Sequence, residues 1–365
     1  MATSSSSPRV PTSGVSGEET SASPKRAKRV SMREVAAHSN VSVATVSMVL
    51  NNNPRISRAT QQRVRRSMDD LGYRPDRVAQ SLSSTYTRLI AVMIPPLSHA
   101  FADAYFGEII SGIYDRAARL GHKILLEQAK PKFIESGQHI ELVERRFVDG
   151  ILCLGFIENY EFMHDLVDRD QPVLAVNTQF NDLDVDTVVC DYSAGAEQVM
   201  HCLRQLGHKK VGMVIGGSHG VTTQDILAVF RASMEEEGTF DPSLVVDGRY
   251  SETGGAEAAR QLMERHPDLT AIFASNDKMA MGAVHYLHQS GRQVPTDVSV
   301  VGFDNLYMSQ FLNPPLTTVH LPLYDLGDVA CERLIQRVRG RQDPVAELLP
   351  THLILRESTA IAAGR

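Results

Sequence analysis

Between residues 89 and 304 the sequence repeats one pattern eight times: a short apolar run, then a segment long enough for a helix. The runs are LIAVMIP (89–95), KILLEQ (123–128), GILCLG (150–155), PVLAVN (172–177), TVVCD (187–191), KVGMVIG (210–216), AIFASND (271–277) and VSVVGFD (298–304). Near-continuous apolarity, as opposed to alternation, marks strands buried on both faces. Helix-length spacers between such strands predict crossovers and therefore parallel α/β sheets. Eight strands are too many for one small sheet, and 365 residues leave room for two doubly wound lobes with a cleft between them. Ligands of open α/β sheets sit beyond the carboxyl ends of the strands. Asn177, Asp191, Asn276, Asp277 and Asp304 fall at such ends, where each is also suited to cap a helix or make a turn.

The N-terminal part is different in kind. Residues 1–24 are rich in Ser, Thr, Pro and Gly and are expected to be disordered, with the tail reaching residue 29. They hold no apolar core of a secretion signal, and no apolar run of the chain has transmembrane length, which predicts a cytoplasmic protein. The four cysteines (Cys153, Cys190, Cys202 and Cys331) are scattered without a C-x-x-C pair and read as reduced core residues. Residues 25–88 carry 13 Lys and Arg against 4 Asp and Glu, a net +9, whereas residues 89–365 carry 23 against 37, a net −14. A basic head on an acidic body points to a polyanion-binding module attached to a domain with other work.

That head has the marks of three short helices. SMRE (31–34) is a capping box that opens the first. NVSVATVSMVLN (40–51) is crowded with β-branched residues, which favour strands. However, Val46, Val49 and Leu50 fall at i, i+3 and i+4, while strand alternation would mix Ser42, Ala44, Val46, Met48 and Leu50 on one face. Periodicity predicts a helix with Ser42 as its N-cap, stabilised by packing on the first helix. A third helix spans about 57–71, with Gly72 just beyond it. This is a helix-turn-helix. A second helix of this size fits the DNA major groove, which sets Val43, Ala44, Ser47 and Met48 against base edges and Thr45 near a phosphate. Val43 and Ala44 are suited only to thymine methyls or to shape.

VSVATVS, VLN, the PR-S turn, LGYRPDRVAQSL, VDGIL, LGHKKVGMVIG, FASNDKMAMGA, VPTDVSVVGFDN and PPLTTV together resemble the LacI/GalR (lac-repressor) family of bacterial transcription regulators, over about residues 32–359. The downstream motifs are shared with sugar-binding proteins of the periplasmic-binding-protein fold. The resemblance implies an N-terminal all-α helix-turn-helix DNA-binding domain (30–74), a hinge helix and linker (75–87) and an α/β two-lobed, type I periplasmic-binding-protein-like effector domain (88–360). Lobe 1 would comprise about 88–189 and 321–350, and lobe 2 about 190–320 and 351–360. It also implies a homodimer on a palindromic DNA operator and a small-molecule effector in the cleft (a sugar, sugar acid or nucleobase-like compound). No cofactor, metal, membrane partner or catalytic group is expected.

Carried onto this sequence, the DNA contacts are Ser42, Val43, Ala44, Thr45, Ser47, Met48 and Asn51, with Arg55, Arg58, Arg63, Arg74 and Arg77 toward phosphates. Val78, Ala79 and Leu82 belong to the hinge segment, Leu82 matching a leucine that wedges into the minor groove. Asn276 and Asp304 match residues that bond a sugar hydroxyl or base edge, Tyr250 an aromatic against the ligand ring, and Asn177 an often acidic position. Asp191 completes the strand-end set. The loop PPLSHAFADAYFGE is longer than usual and offers His99, Asp103, Tyr105 and Phe106.

Three positions depart from the family. Met48 stands where an arginine usually contacts guanine, and Asp76 where asparagine is usual. In TTQDILAVFRASM, Ile226 takes the place of an effector-binding arginine. Without that guanidinium a strongly anionic effector is disfavoured, unless Gln224, Asp225 or His219 compensates. Two other functions fit less well. A solute-binding protein of a transport system needs a secretion signal and has no use for a basic helix-turn-helix. An enzyme of this fold would show G-x-S-x-G, a P-loop or metal-ligand spacing, whereas GGSHG (216–220) has no Lys-Ser/Thr after it.

Overall fold

The structure is a computed structural model that describes residues 30–50, 53–73, 86–96, 103–156, 160–180, 182–217 and 220–362. The chain divides near Ser84 into two compact units.

The first unit holds helices α1 (Met32–Ser39), α2 (Val43–Leu50) and α3 (Arg58–Asp70). The capping box forms: the Glu34 amide donates to Ser31 Oγ (3.4 Å) and the Ser31 amide to Glu34 Oε2 (2.6 Å). Asn40 ends α1 in the left-handed conformation (φ 50°), a conformation asparagine tolerates. Ser42 then caps α2 by accepting from the Thr45 amide at 3.0 Å. Val35, Ala36, Val46, Val49 and Val64 are buried together, with Leu50, Ile56 and Leu71 packed around them. The β-branched stretch is therefore a helix, and tertiary burial offsets its weak intrinsic propensity. Ser57 caps α3 through the Thr60 amide (3.3 Å), and Gly72 (φ 63°) follows its end.

The second unit is two sheets. Lobe 1 contains β1 (Leu89–Ile94), α4 (Ala104–Arg119), β2 (Lys123–Gln128), α5 (Pro131–Glu135), α6 (Gln138–Glu144), β3 (Ile151–Leu154), α7 (Phe162–Val167), β4 (Val173–Val176) and β5 (Asp186–Cys190). Lobe 2 contains α8 (Tyr192–Gln205), β6 (Val211–Ile215), α9 (Val221–Glu236), β7 (Val245–Asp247), α10 (Glu252–Arg265), β8 (Ala271–Ala274), α11 (Asp277–Gln289), β9 (Ser299–Asp304) and β10 (Thr317–His320). The chain then returns to lobe 1 with α12 (Leu323–Val338) and β11 (Ala346–Leu349), and ends in lobe 2 with β12 (His352–Ile354). The sheet orders are β11-β5-β4-β3-β1-β2, all parallel, and β12-β10-β9-β8-β6-β7, parallel except for β12 against β10.

All eight apolar runs are strands. β7, β10, β11 and β12 were not singled out in the sequence; unlike the equally short β3, β4 and β8, none is buried along its whole length, so none leaves an unbroken apolar run. Among the described residues the chain passes between lobes at 190–192, 320–323 and 349–352. Thr351 Oγ1 donates to the Asp191 carbonyl (2.8 Å) and ties two of these passages together. In lobe 1, α4 and α12 approach backbone to backbone: a Cβ on Gly327 would lie 2.0 Å from the Ile109 carbonyl oxygen. Arg116 and Arg119 of α4 both donate to Asp328 of α12. Free cysteines Cys153, Cys190 and Cys331 are buried and Cys202 is half-buried.

Candidate DNA interface and effector cleft

Helix α2 has two faces. Val46 and Val49 point into the head's core, and Ser42, Val43, Ala44 and Met48 are exposed, Val43 at 40% and Met48 at 39%. Thr45 and Ser47 are half-buried at the margin. A core role for Met48 is thereby excluded. Arg55, Arg58 and Arg63 are exposed on the turn before α3 and on α3 itself. Asn51, Arg74, Asp76, Arg77, Val78, Ala79 and Leu82 lie outside the described residues, as do His99 and His219.

At the junction of the lobes, α4 presents its N-terminus to lobe 2. Asp103 caps α4 by accepting from the Tyr105 amide (3.0 Å), and its second oxygen pairs with Lys278 Nζ of α11 at 3.0 Å. Asn177 follows β4 with φ 54° and is almost completely buried. Its amide group donates to the hydroxyls of Tyr105 and Tyr192, the latter at 2.7 Å, while its Oδ1 accepts from the Cys190 amide at 3.1 Å. Burial pushes both tyrosine hydroxyls well above their ordinary pKa, so they stay protonated.

Asp304, at the end of β9, is the acidic counterpart in lobe 2. It is 6% exposed and sits in an unusual backbone conformation for a non-glycine residue (φ 115°). Burial, then the neighbouring Asp277 and Asp103 carboxylates, raise its pKa far above the usual range. Asp277 is wholly buried and accepts from the Leu306 amide (2.8 Å), Thr318 Oγ1 (2.5 Å) and Ser309 Oγ. Desolvation outweighs these three donors and lifts its pKa to about 6. This residue is thus an internal brace that fixes the turn after Asp304. Sequence reasoning placed it at a strand end but did not assign it that role; the signal is its position at the first turn of α11.

Asp191 and Asn276 are both N-caps, accepting from the amides of Ala194 (2.9 Å) and Met279 (2.8 Å). Tyr250 lies flat over Gly216, where a Cβ would meet its ring at 2.1 Å, and its hydroxyl shares a 2.7 Å hydrogen bond with Thr223. Phe106 packs edge-on to Tyr105 and against Gly155. Gln224 is exposed on α9 beside Leu227, Ala228 and Arg231. Ile226 is buried in the lobe 2 core. A cavity of about 420 Å³ opens at the lobe junction between Asp304, Asn305, His320, Tyr307, Tyr324 and Arg356. Asn305 bridges two of these, accepting from Arg356 (2.7 Å) and contacting His320 Nδ1 (3.1 Å). Asp103, Tyr105, Asn177 and Asp304 therefore come together. Tyr250 forms a separate group with Thr223.

Residues 31–76 match the model of bacterial regulatory proteins of the lacI family, and residues 200–359 match that of the periplasmic binding protein-like domain. The HTH-type transcriptional regulator DegA of Bacillus subtilis is 31% identical over 337 residues, 91% of this chain and 98% of that protein. The HTH-type transcriptional repressor CytR of Escherichia coli is 30% identical over 92% of this chain and 98% of its own length. The chain belongs to the LacI family. Its fold agrees with solved structures of that family: a lac repressor dimer bound to operator and the anti-inducer ONPF (TM-score 0.81, 26% identity, 91% of this chain and 100% of the other) and a CelR–cellobiose complex (TM-score 0.70, 29% identity, 90% and 100%). As a LacI-family member the chain is a DNA-binding transcription regulator with a two-lobed periplasmic-binding-protein-like domain. No described helix is long and apolar enough to cross a membrane. Of the two apolar residues singled out in the sequence, Met48 is exposed and Ile226 is buried in the lobe 2 core.

Proposed function

We propose that this protein is a cytoplasmic repressor that binds a palindromic operator as a homodimer and is controlled by a small molecule between its lobes. The observation that carries the reading is the exposed face of α2 beside exposed arginines, on a unit compact in its own right and attached to a two-lobed domain. Arg55, Arg58 and Arg63 would hold phosphates while Val43, Ala44, Ser47 and Met48 meet base edges. Asn51, Arg74, Arg77, Val78, Ala79 and Leu82 are assigned to the same surface from the sequence alone. In the cleft, the Tyr105–Asn177–Tyr192 group offers fixed hydroxyls, and Asp304 offers a carboxyl facing a cavity. Such a set bonds the hydroxyls of a neutral polyol or sugar, or the donor edge of a nucleobase; Ile226 is buried and offers no charge, and the guanidinium at the cavity is that of Arg356, already engaged by Asn305.

The test uses the full-length protein and DNA fragments from its own locus. A sequence-specific complex of two chains per duplex is expected, with log affinity falling linearly and steeply against log salt. Binding that is equal on all fragments would defeat the operator reading. A thermal-shift screen of sugars, sugar acids, polyols and nucleobases then identifies the effector class, because a ligand of the folded state raises the melting temperature by mass action.

A further inference from the structure

We infer that helix α2 reads the C5-methyl groups of pyrimidines in place of hydrogen-bonding base edges, so that its half-site carries thymine or methylated cytosine opposite Val43, Ala44 and Met48. The inference rests on the operator reading above and adds the chemistry by which bases are chosen. The eight residues of α2, VATVSMVL, include no charged and no amide side chain. Its exposed face is Val43, Ala44 and Met48, with Val46 and Val49 spent on the core. The hydroxyls near its start are engaged in capping, which leaves one of their two protons available, at the phosphate-side margin of the helix. Ser42 Oγ takes the Thr45 amide, and the Ser42 and Thr45 hydroxyls bond each other at 2.9 Å. Apart from this pair, Ser47, half-buried, is the one polar side chain of the helix.

Guanine offers the major groove two acceptors, which require a donor fork that α2 does not possess. Thymine offers a methyl group, the natural partner of an apolar surface. A 5-methylcytosine offers the same methyl at the same place. Met48 suits this contact, since its thioether chain is polarizable and conforms to irregular apolar surface. Charge complementarity identifies the occupant of this exposed apolar face. The unit carries exposed Arg55, Arg58 and Arg63, so the partner is a polyanion with apolar groups in a groove, which is duplex DNA.

The experiment selects half-sites from a random duplex library with the full-length protein, then resynthesises them with deoxyuridine for one thymine at a time. Opposite the three side chains, each lost methyl should weaken binding about fourfold, the value of about 0.8 kcal/mol for one buried methylene. At the same positions a 5-methylcytosine should bind better than cytosine by a similar factor, and Met48→Arg should shift the selected base toward guanine. Half-sites fixed at guanine, with uracil substitutions neutral, would overturn the inference and leave the operator reading intact. Failure to enrich any sequence would defeat the operator reading, and the inference with it.

Discussion

His139 of α6 shows how a single residue can carry a cost that its neighbours do not relieve. It is 2% exposed, neither ring nitrogen has a hydrogen-bond partner, and it packs edge-on to Phe162. Its closest acid, Asp165, is 4.0 Å away on a largely solvated side chain. Burial lowers the His139 pKa, with Asp165 opposing and Arg169 reinforcing the shift. The folded-state value therefore lies below the unfolded one, so the site's stability is whole above the unfolded pKa and is lost as pH falls through the folded pKa. His139→Phe should be more stable than the parent by about 1 kcal/mol at pH 7, because a buried unpaired polar group is removed. The difference should widen between pH 7 and pH 5. Urea midpoints across that range are the measurement, and a variant that is weaker by the same amount at every pH would contradict it. The residue scale is also where the sequence was hardest to read. Asp191, Asn276 and Asp304 were legible as strand-end polar residues, but only coordinates reveal that two of them spend an oxygen on a helix cap while the third stays nearly buried at a cavity. His139 gave no signal at all, since its burial comes from packing between α6 and α7.

At the scale of elements, α2 is where periodicity overruled propensity. Its apolar residues recur at helical spacing, and burial of Val46 and Val49 against Val35, Ala36 and Val64 supplies what β-branched residues withhold. With so small a core, one truncation weighs heavily. Val46→Ala removes two methyl groups from a fully buried site and should cost about 2 kcal/mol. In a unit of this size that lowers the melting temperature by about 10 °C. Because the chain forms two compact units, calorimetry is expected to show a lowered head transition and an unchanged effector-domain transition. A single transition that moves as one would show the units to unfold together. The central parallel strands, such as β1, β6 and β9, were legible because burial on both faces leaves an unbroken apolar run. β11 alternates exposed and half-buried residues and pairs only with β5, so its four residues resemble a loop until the partner strand is seen.

At the scale of the molecule, the two lobes are joined by more than their three backbone passages. Lys278 occupies the first turn of α11, where the helix dipole disfavours a cation. Its placement is accounted for by Asp103 on the opposite lobe, 3.0 Å away, which at the same time caps α4. Each side chain is about a quarter exposed, so the pair contributes no more than about 1 kcal/mol, and less at high salt. A contribution of that size still changes an open-to-closed ratio about fivefold. Lys278→Ala should shift the population toward separated lobes, read as a larger radius of gyration in X-ray scattering at low salt and as weaker effector binding. Asp103→Asn keeps a side chain competent to cap α4 but removes the charge, and it should reproduce both effects. If the two charges act on each other, the double variant will be no more open than either single one. Additive effects would instead mean that Asp103 serves only its own helix, and that closure of the cleft is left to the Tyr105–Asn177–Tyr192 group and to the ligand.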